Sequence, residues 1–200
     1  MRKARIELII IALLLTVAAL VALGREETPE NILPSDGILL CEIEGEPYYY
    51  DTEYLFKITA SVFPEDPNAD AKTRAVYYEL AYREMIAEDA YVSVDRVEGE
   101  IKERRGIAKA AENVLADSET EASQRAYYEE YMEMLTACAE KEGTSTTVYW
   151  DDIAPYVEKG ILIEMYIGKP LYGFGAEIVI PETDYKTLSE NYDVVFFEEL

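Results

Sequence analysis

The chain opens with a basic head, Met1-Arg2-Lys3-Ala4-Arg5, followed by Ile6 to Leu23, which is apolar except for Glu7 and Thr16. That is the layout of an export signal. The 16 residues from Leu8 to Leu23 lie between a long signal core and a short membrane-spanning helix. Arg2, Lys3 and Arg5 stay cytoplasmic under the positive-inside rule, so the remainder is expected to face outward. Ala22 and Gly24 are small at the positions a signal peptidase reads. Cleavage after Gly24 and retention as an anchor both fit. No cysteine follows the apolar run, so lipid attachment is not expected. Residues 1–24 therefore read as signal or membrane anchor and 25–36, with two prolines, as an extended linker. Residues 37–200 read as one extracytoplasmic domain, anchored or secreted.

Composition narrows what that domain can do. The formal net charge is −23, from 41 acidic and 18 basic residues. Such a surface repels phosphate backbones, so no nucleic-acid partner is expected. Histidine is absent, which excludes Ser–His–Asp and Cys–His catalysis and removes the commonest metal ligand. Asp66-Pro67-Asn68-Ala69-Asp70 resembles the start of a calcium loop. Ala71 stands where that loop needs glycine, and Tyr77 where it needs glutamate, so a turn and helix cap is the expected role. The neighbouring carboxylates Asp151 and Asp152, or Glu129 and Glu130, cannot face each other on a helix. Gly168 to Gly175 lacks the phosphate-loop pattern and reads as a connection. No catalytic residue, metal or cofactor is expected. The two cysteines, Cys41 and Cys138, make no zinc spacing. Export permits a disulfide between them; two separate, half-buried thiols are the alternative.

The hydrophobic periodicity predicts a mainly α fold. Gly37 to Glu44 is strand-like and Gly45-Glu46-Pro47 reads as a turn. Asp51 or Thr52 caps a helix through about Phe63, broken by Pro64 to Asn68. A long helix follows from Ala69 to about Ala90. Ser93 caps the next, carrying Val94, Val97, Ile101 and Ile107/Ala108. Ser118-Glu119-Thr120-Glu121 is a capping box. Behind it Tyr128, Tyr131, Leu135 and Cys138 form one buried stripe, ended by Gly143. Thr144 or Ser145 caps a last helix through Leu162, with Pro155 as a kink. In the tail, residues 176–200, Ala176 to Ile180 and Asp193 to Phe197 are strand-like. With Gly37 to Glu44 they are expected to form a small sheet joining the start and end of the domain.

The 17 tyrosines are the unusual set. Tyrosine offers broad apolar contact with a polar edge at low entropy cost. Tyr49, Tyr54, Tyr78, Tyr82, Tyr128, Tyr131, Tyr149 and Trp150 are the candidates for lining a peptide-binding groove between helices. The alternative is that they are packing residues.

The order of segments resembles the N-terminal chaperone domain of the SurA/PrsA foldases. Glu42-Ile43-Glu44-Gly45-Glu46-Pro47-Tyr48 matches that family's strand and turn, with Glu44 in place of asparagine. Val92-Ser93-Val94-Asp95-Arg96-Val97-Glu98-Gly99-Glu100-Ile101 fits its helix start. Tyr131-Met132-Glu133-Met134-Leu135, then Gly143 and Tyr149-Trp150-Asp151-Asp152, match its later helices. The likeness covers about residues 39–167. The link before Val92 is shorter than usual, and the tail after Gly168 has no counterpart. No space or histidine remains for a parvulin prolyl isomerase module. The resemblance implies a non-catalytic chaperone that holds non-native or newly translocated polypeptides. The alternative is an envelope protein that recognises one dedicated folded partner. A concave tyrosine-lined patch favours the first; a sealed core inside an acidic exterior favours the second.

Overall fold

A computed structural model describes residues 32–34, 36–171 and 182–197. The expected leader and most of the linker lie outside the described residues, as do Ala176 to Ile180. No described helix is long and apolar enough to cross a membrane. The fold is mainly helical with a small three-stranded sheet.

The chain enters through strand β1 (Ile38–Ile43), turns at Glu44-Gly45 and returns as β2 (Glu46–Tyr50). Glu44 and Gly45 have φ of 55° and 77°, both in the left-handed region that a two-residue hairpin turn requires. The expected turn at Gly45-Glu46-Pro47 is therefore corrected: it lies one residue earlier, and Glu46 and Pro47 belong to β2. Ile43 pairs with Glu46 and Cys41 with Tyr48, and a bulge at Leu40 shifts the register before Leu39 pairs with Tyr49. A third strand, β3 (Val194–Phe196), pairs antiparallel with the other side of β1, in the order β2-β1-β3. The first and last parts of the domain thus meet, as the strand-like runs predicted.

Helix α1 (Thr52–Thr59) starts on Asp51, whose carboxylate accepts the Tyr54 N–H at 3.0 Å. It stops four residues short of the expected Phe63 because Ala60 turns left-handed, with φ of 51°. Helix α2 (Ala69–Ala87) is capped by Asn68, which accepts the Ala71 N–H at 2.8 Å. It ends before the expected Ala90, just ahead of Asp89 at φ 55°. Ser93 caps α3 (Val94–Ala116) as predicted. Helix α4 (Ala122–Lys141) begins after the expected capping box, which does not form. Instead Thr120 Oγ1 donates to the Val114 carbonyl at 2.9 Å, and the Asp117 carboxylate accepts the Glu119 N–H. The single last helix expected from Thr144 is two pieces: a 3-10 turn, Tyr149–Asp151, and α5 (Ala154–Ile167). Pro155 sits in the first turn of α5, where its missing N–H costs no hydrogen bond, so it starts a helix rather than kinking one. Within the tail read as strand-like, residues 182–189 form helix α6 (Glu182–Ser189).

Helix α2 lies at the centre, packed against α5 and, through Tyr48, against the sheet; the Tyr48 hydroxyl donates to the Ala75 carbonyl at 3.1 Å. Close approach of α5 to α1 depends on Gly160, since a Cβ there would lie 2.3 Å from the Ile58 carbonyl oxygen. Two buried charged clusters cross the core. Glu79 accepts from Lys159 at 2.8 Å and from Arg83 at 2.9 Å, tying α2 to α5. Arg104 on α3 pairs with Glu100 at 3.2 Å and donates to the Lys57 and Ile58 carbonyls, which closes the C-terminal end of α1.

Candidate binding surface

The candidate groove residues are mostly core. Tyr54, Tyr78, Tyr82, Tyr128, Tyr131, Tyr149 and Trp150 are all buried, and Tyr49 is half-buried. Trp150 lies 5.5 Å from Phe56 and 4.9 Å from Tyr149, centroid to centroid; Tyr131 lies 5.7 Å from Phe56. Together they fill the space between α1, α3 and α4. Tyr82 lies beneath the Lys159 ammonium, 4.2 Å from the ring centroid, and the Tyr54 hydroxyl donates to the Ile32 carbonyl at 3.1 Å. These rings pack; they do not line an open groove. Their polar edges serve the interior: the Tyr149 hydroxyl lies beside the Cys138 thiol, whereas the Tyr131 hydroxyl and the Trp150 indole N–H have no hydrogen-bond partner among the described residues.

Half of the exposed large apolar side chains among the described residues lie on or next to the sheet; Tyr91, Val94, Val148, Met165 and Tyr166 lie elsewhere. Ile38, Leu39, Val195, Phe196 and Phe197 are each 40–48% exposed. Tyr49 lies opposite Leu39 and is the candidate aromatic that belongs to this surface. Hydrogen bonding fixes how β3 presents itself. The Glu44 N–H donates to the Asp193 carbonyl at 2.8 Å, and the Phe197 N–H donates to the Leu40 carbonyl at 3.4 Å. Backbone groups alternate in direction along a strand. Asp193, Val195 and Phe197 therefore turn theirs toward β1, while Val194 and Phe196 turn theirs outward. Among the described residues, no strand pairs with that outer edge. From the β1 side of the strand Glu42 pairs with Val195 and Glu44 bonds Asp193, so these carboxylates share a face with Val195.

Concavities lie elsewhere among the described residues, one of them, 260 Å³, bordered by Tyr54 and Tyr156. A cleft of 670 Å³ between the α2–α3 connection and the end of α5 is lined by Tyr91, Arg96, Ile161, Glu164, Met165 and Lys169, among others. Burial raises the Glu164 pKa; the Leu171 N–H, bound at 2.8 Å, opposes that shift. A 420 Å³ pocket at the start of α1 holds Asp36, Asp51, Glu53 and Glu65 with Lys141. Burial acts to raise the Glu53 pKa. The ammonium groups of Lys141, at 2.6 Å, and Lys57, paired at 3.0 Å, outweigh it and hold the carboxylate below its ordinary value. No group of three or more metal-ligating side chains is placed to hold an ion among the described residues.

No protein-family model, curated protein or solved structure matches the chain.

Cys41 and Cys138 are free and buried rather than joined. Cys41 sits on β1 near Arg83 and Glu79, whereas Cys138 sits on α4 beside Tyr149, with Glu53 and Lys57 near. Each thiol is enclosed by different elements. Burial pushes the Cys41 pKa up to about 12 and that of Cys138 up to about 11, so neither is a ready thiolate. The sequence pattern shows the strand-like runs of β1 and β3 but not β2, because Glu46 and Pro47 carry a turn signal and Tyr48 to Tyr50 lack alternation. The signal for the exposed sheet surface was present in DVVFF, an apolar run between acidic residues in a chain of charge −23.

Proposed function

We propose that this chain is a non-catalytic, extracytoplasmic binding protein that recognises one dedicated polypeptide partner through its small sheet. The observation that carries this reading is the distribution of apolar surface. The groove candidates other than Tyr49 are enclosed in the core, while Ile38, Leu39, Val195, Phe196 and Phe197, half of the exposed large apolar residues among those described, lie on or next to the sheet of a strongly acidic protein. A small apolar sheet edge, with side chains on both of its faces, suits one complementary segment better than many unfolded clients, which call for a broad, adaptable surface. The basic and apolar N-terminal run supports a location outside the cytoplasm, at the membrane or released from it. The likeness of the motif order to SurA/PrsA chaperone domains supports a polypeptide, rather than a small molecule, as the partner. The absence of histidine from the sequence supports a binding role.

The test uses the full chain in neutral detergent. Affinity capture from the envelope fraction is expected to enrich one polypeptide, and the Val195→Glu/Phe197→Glu variant is expected to lose it. The same chain is expected not to slow the aggregation of unrelated unfolded proteins. Suppressed aggregation of several such clients by wild type and variant alike would replace this reading with the general chaperone one.

A further inference from the structure

We infer that the outer edge of β3 accepts an extended, lysine- or arginine-bearing segment of the partner as a fourth strand. This deepens the reading just given and rests on it.

Among the described residues, the edge has open backbone valences. The bonds from Glu44 and Phe197 to Asp193 and Leu40 place the N–H and C=O of Val194 and Phe196 on the outward side. Exposed strand edges of soluble proteins are commonly blunted by proline, lysine or a covering element. The sheet's other edge is blunted: Ile43 and Glu46 flank the two-residue turn and bond to each other, so Pro47 faces outward and has no N–H to offer. Strand β3 contains neither proline nor lysine. Its exposed side chains, Val195 and Phe196, with the adjacent Phe197, supply apolar contact on either face of an added strand.

Charge selects the occupant. Between Lys186 and Leu200 there is no basic residue, whereas Glu190, Asp193, Glu198 and Glu199 surround the strand in sequence, and Glu42 on β1 and Glu44 in the turn adjoin it from the β1 side. Like charges placed opposite each other across strands are destabilising. A second copy of this chain would bring the same carboxylates to the edge, and anionic lipid would meet the same repulsion. A segment alternating lysine or arginine with apolar residues lays its apolar side chains along the face of Val194 and Phe196 and its cations along the opposite face, which carries Asp193, Glu42 and Glu44.

The probes are a peptide of alternating lysine and valine, its glutamate–valine counterpart, and two lysine–valine peptides N-methylated along one edge or the other. Binding to the full chain in neutral detergent is followed by titration, with amide exchange read at Val194 and Phe196. The lysine–valine peptide is expected to bind and to slow both amides. Methylation of the edge that faces β3, and exchange of lysine for glutamate, are each expected to weaken binding about tenfold or more, while methylation of the far edge does not. Val194→Pro removes an outward donor without removing a bond to β1 and is expected to abolish binding. The peptide comparison stands even if that variant folds poorly. Equal binding of the two methylated peptides overturns the inference, as does slow exchange of Val194 and Phe196 in the free chain or their protection by self-association. If Val195→Glu/Phe197→Glu still abolishes capture of the partner in those cases, strand addition fails while the broader reading stands. Loss of neither by any sheet variant removes both.

Discussion

The Glu44 carboxylate accepts the Asp193 N–H at 2.7 Å while the Glu44 N–H donates to the Asp193 carbonyl at 2.8 Å. One residue of the hairpin turn thus holds the incoming end of β3 by both its side chain and its backbone, across 149 positions of sequence. Replacing Glu44 by alanine removes the side-chain bond and retains the positive φ that only glycine adopts freely. A loss of about 0.5–1 kcal/mol in urea denaturation is expected, with faster exchange of the Phe197 amide. Glu44→Gln keeps the acceptor and is expected to stay near wild type.

Gly160→Ala tests the contact between α5 and α1. The added Cβ would meet the Ile58 backbone oxygen at 2.3 Å, and backbone cannot rotate away as a side chain can. Destabilisation of about 1–3 kcal/mol is expected from chemical denaturation. Gly106→Ala, where nothing lies near the added carbon, serves as control and is expected to be neutral or slightly stabilising.

Arg104→Met removes the buried guanidinium paired with Glu100 and frees two carbonyls of α1. A cost of about 3–5 kcal/mol is expected. The double variant Glu100→Leu/Arg104→Met removes the remaining buried charge and is expected to recover part of that loss. A double variant less stable than Arg104→Met would contradict this account of the pair.

Glu164 gives a pH dependence of definite sign. Burial raises its pKa from 4.5 in the folded chain; the Leu171 N–H, Arg104 and Arg96 oppose this shift and Glu100 adds to it. The folded state therefore holds this proton more tightly than the unfolded state. Its contribution to stability is full below the unfolded pKa and is lost as pH rises through the folded value. Glu164→Gln, which keeps an acceptor for Leu171, is expected to gain stability relative to wild type at pH 7 and to lose that advantage below pH 4.5. Paired denaturation midpoints across that range check it.

With both thiols buried and their pKa values pushed up to about 12 and 11, Cys41 and Cys138 are expected to react slowly with a thiol reagent in the native chain. Both are expected to react at once in denaturant. Mild oxidation is expected to leave the native protein without an intramolecular disulfide, as read by mass after blocking free thiols.

The helical content and the meeting of β1 with β3 were legible from periodicity and turn residues. Asp51, Asn68 and Ser93 cap helices because a short polar side chain satisfies the first free N–H groups, a local rule that sequence exposes directly. Local rules failed where tertiary contacts competed. Ser118 carries a capping-box pattern, yet the chain there follows the Asp117 and Thr120 bonds to the end of α3. The aromatic candidates misled for a related reason. Spacing shows that Tyr78 and Tyr82 lie on a helix, but not that α2 is enclosed on nearly every side. Tyr49 was separable only once β2 was seen as a strand, with Tyr48 and Tyr50 facing inward.

The most direct test of the central claim is photo-crosslinking in the intact envelope from position 195 on the sheet, compared with position 148, which is similarly exposed but remote from β3 in sequence. The account predicts one crosslinked polypeptide from position 195 and none of it from 148. No crosslink from 195, or the same products from both positions, would contradict it.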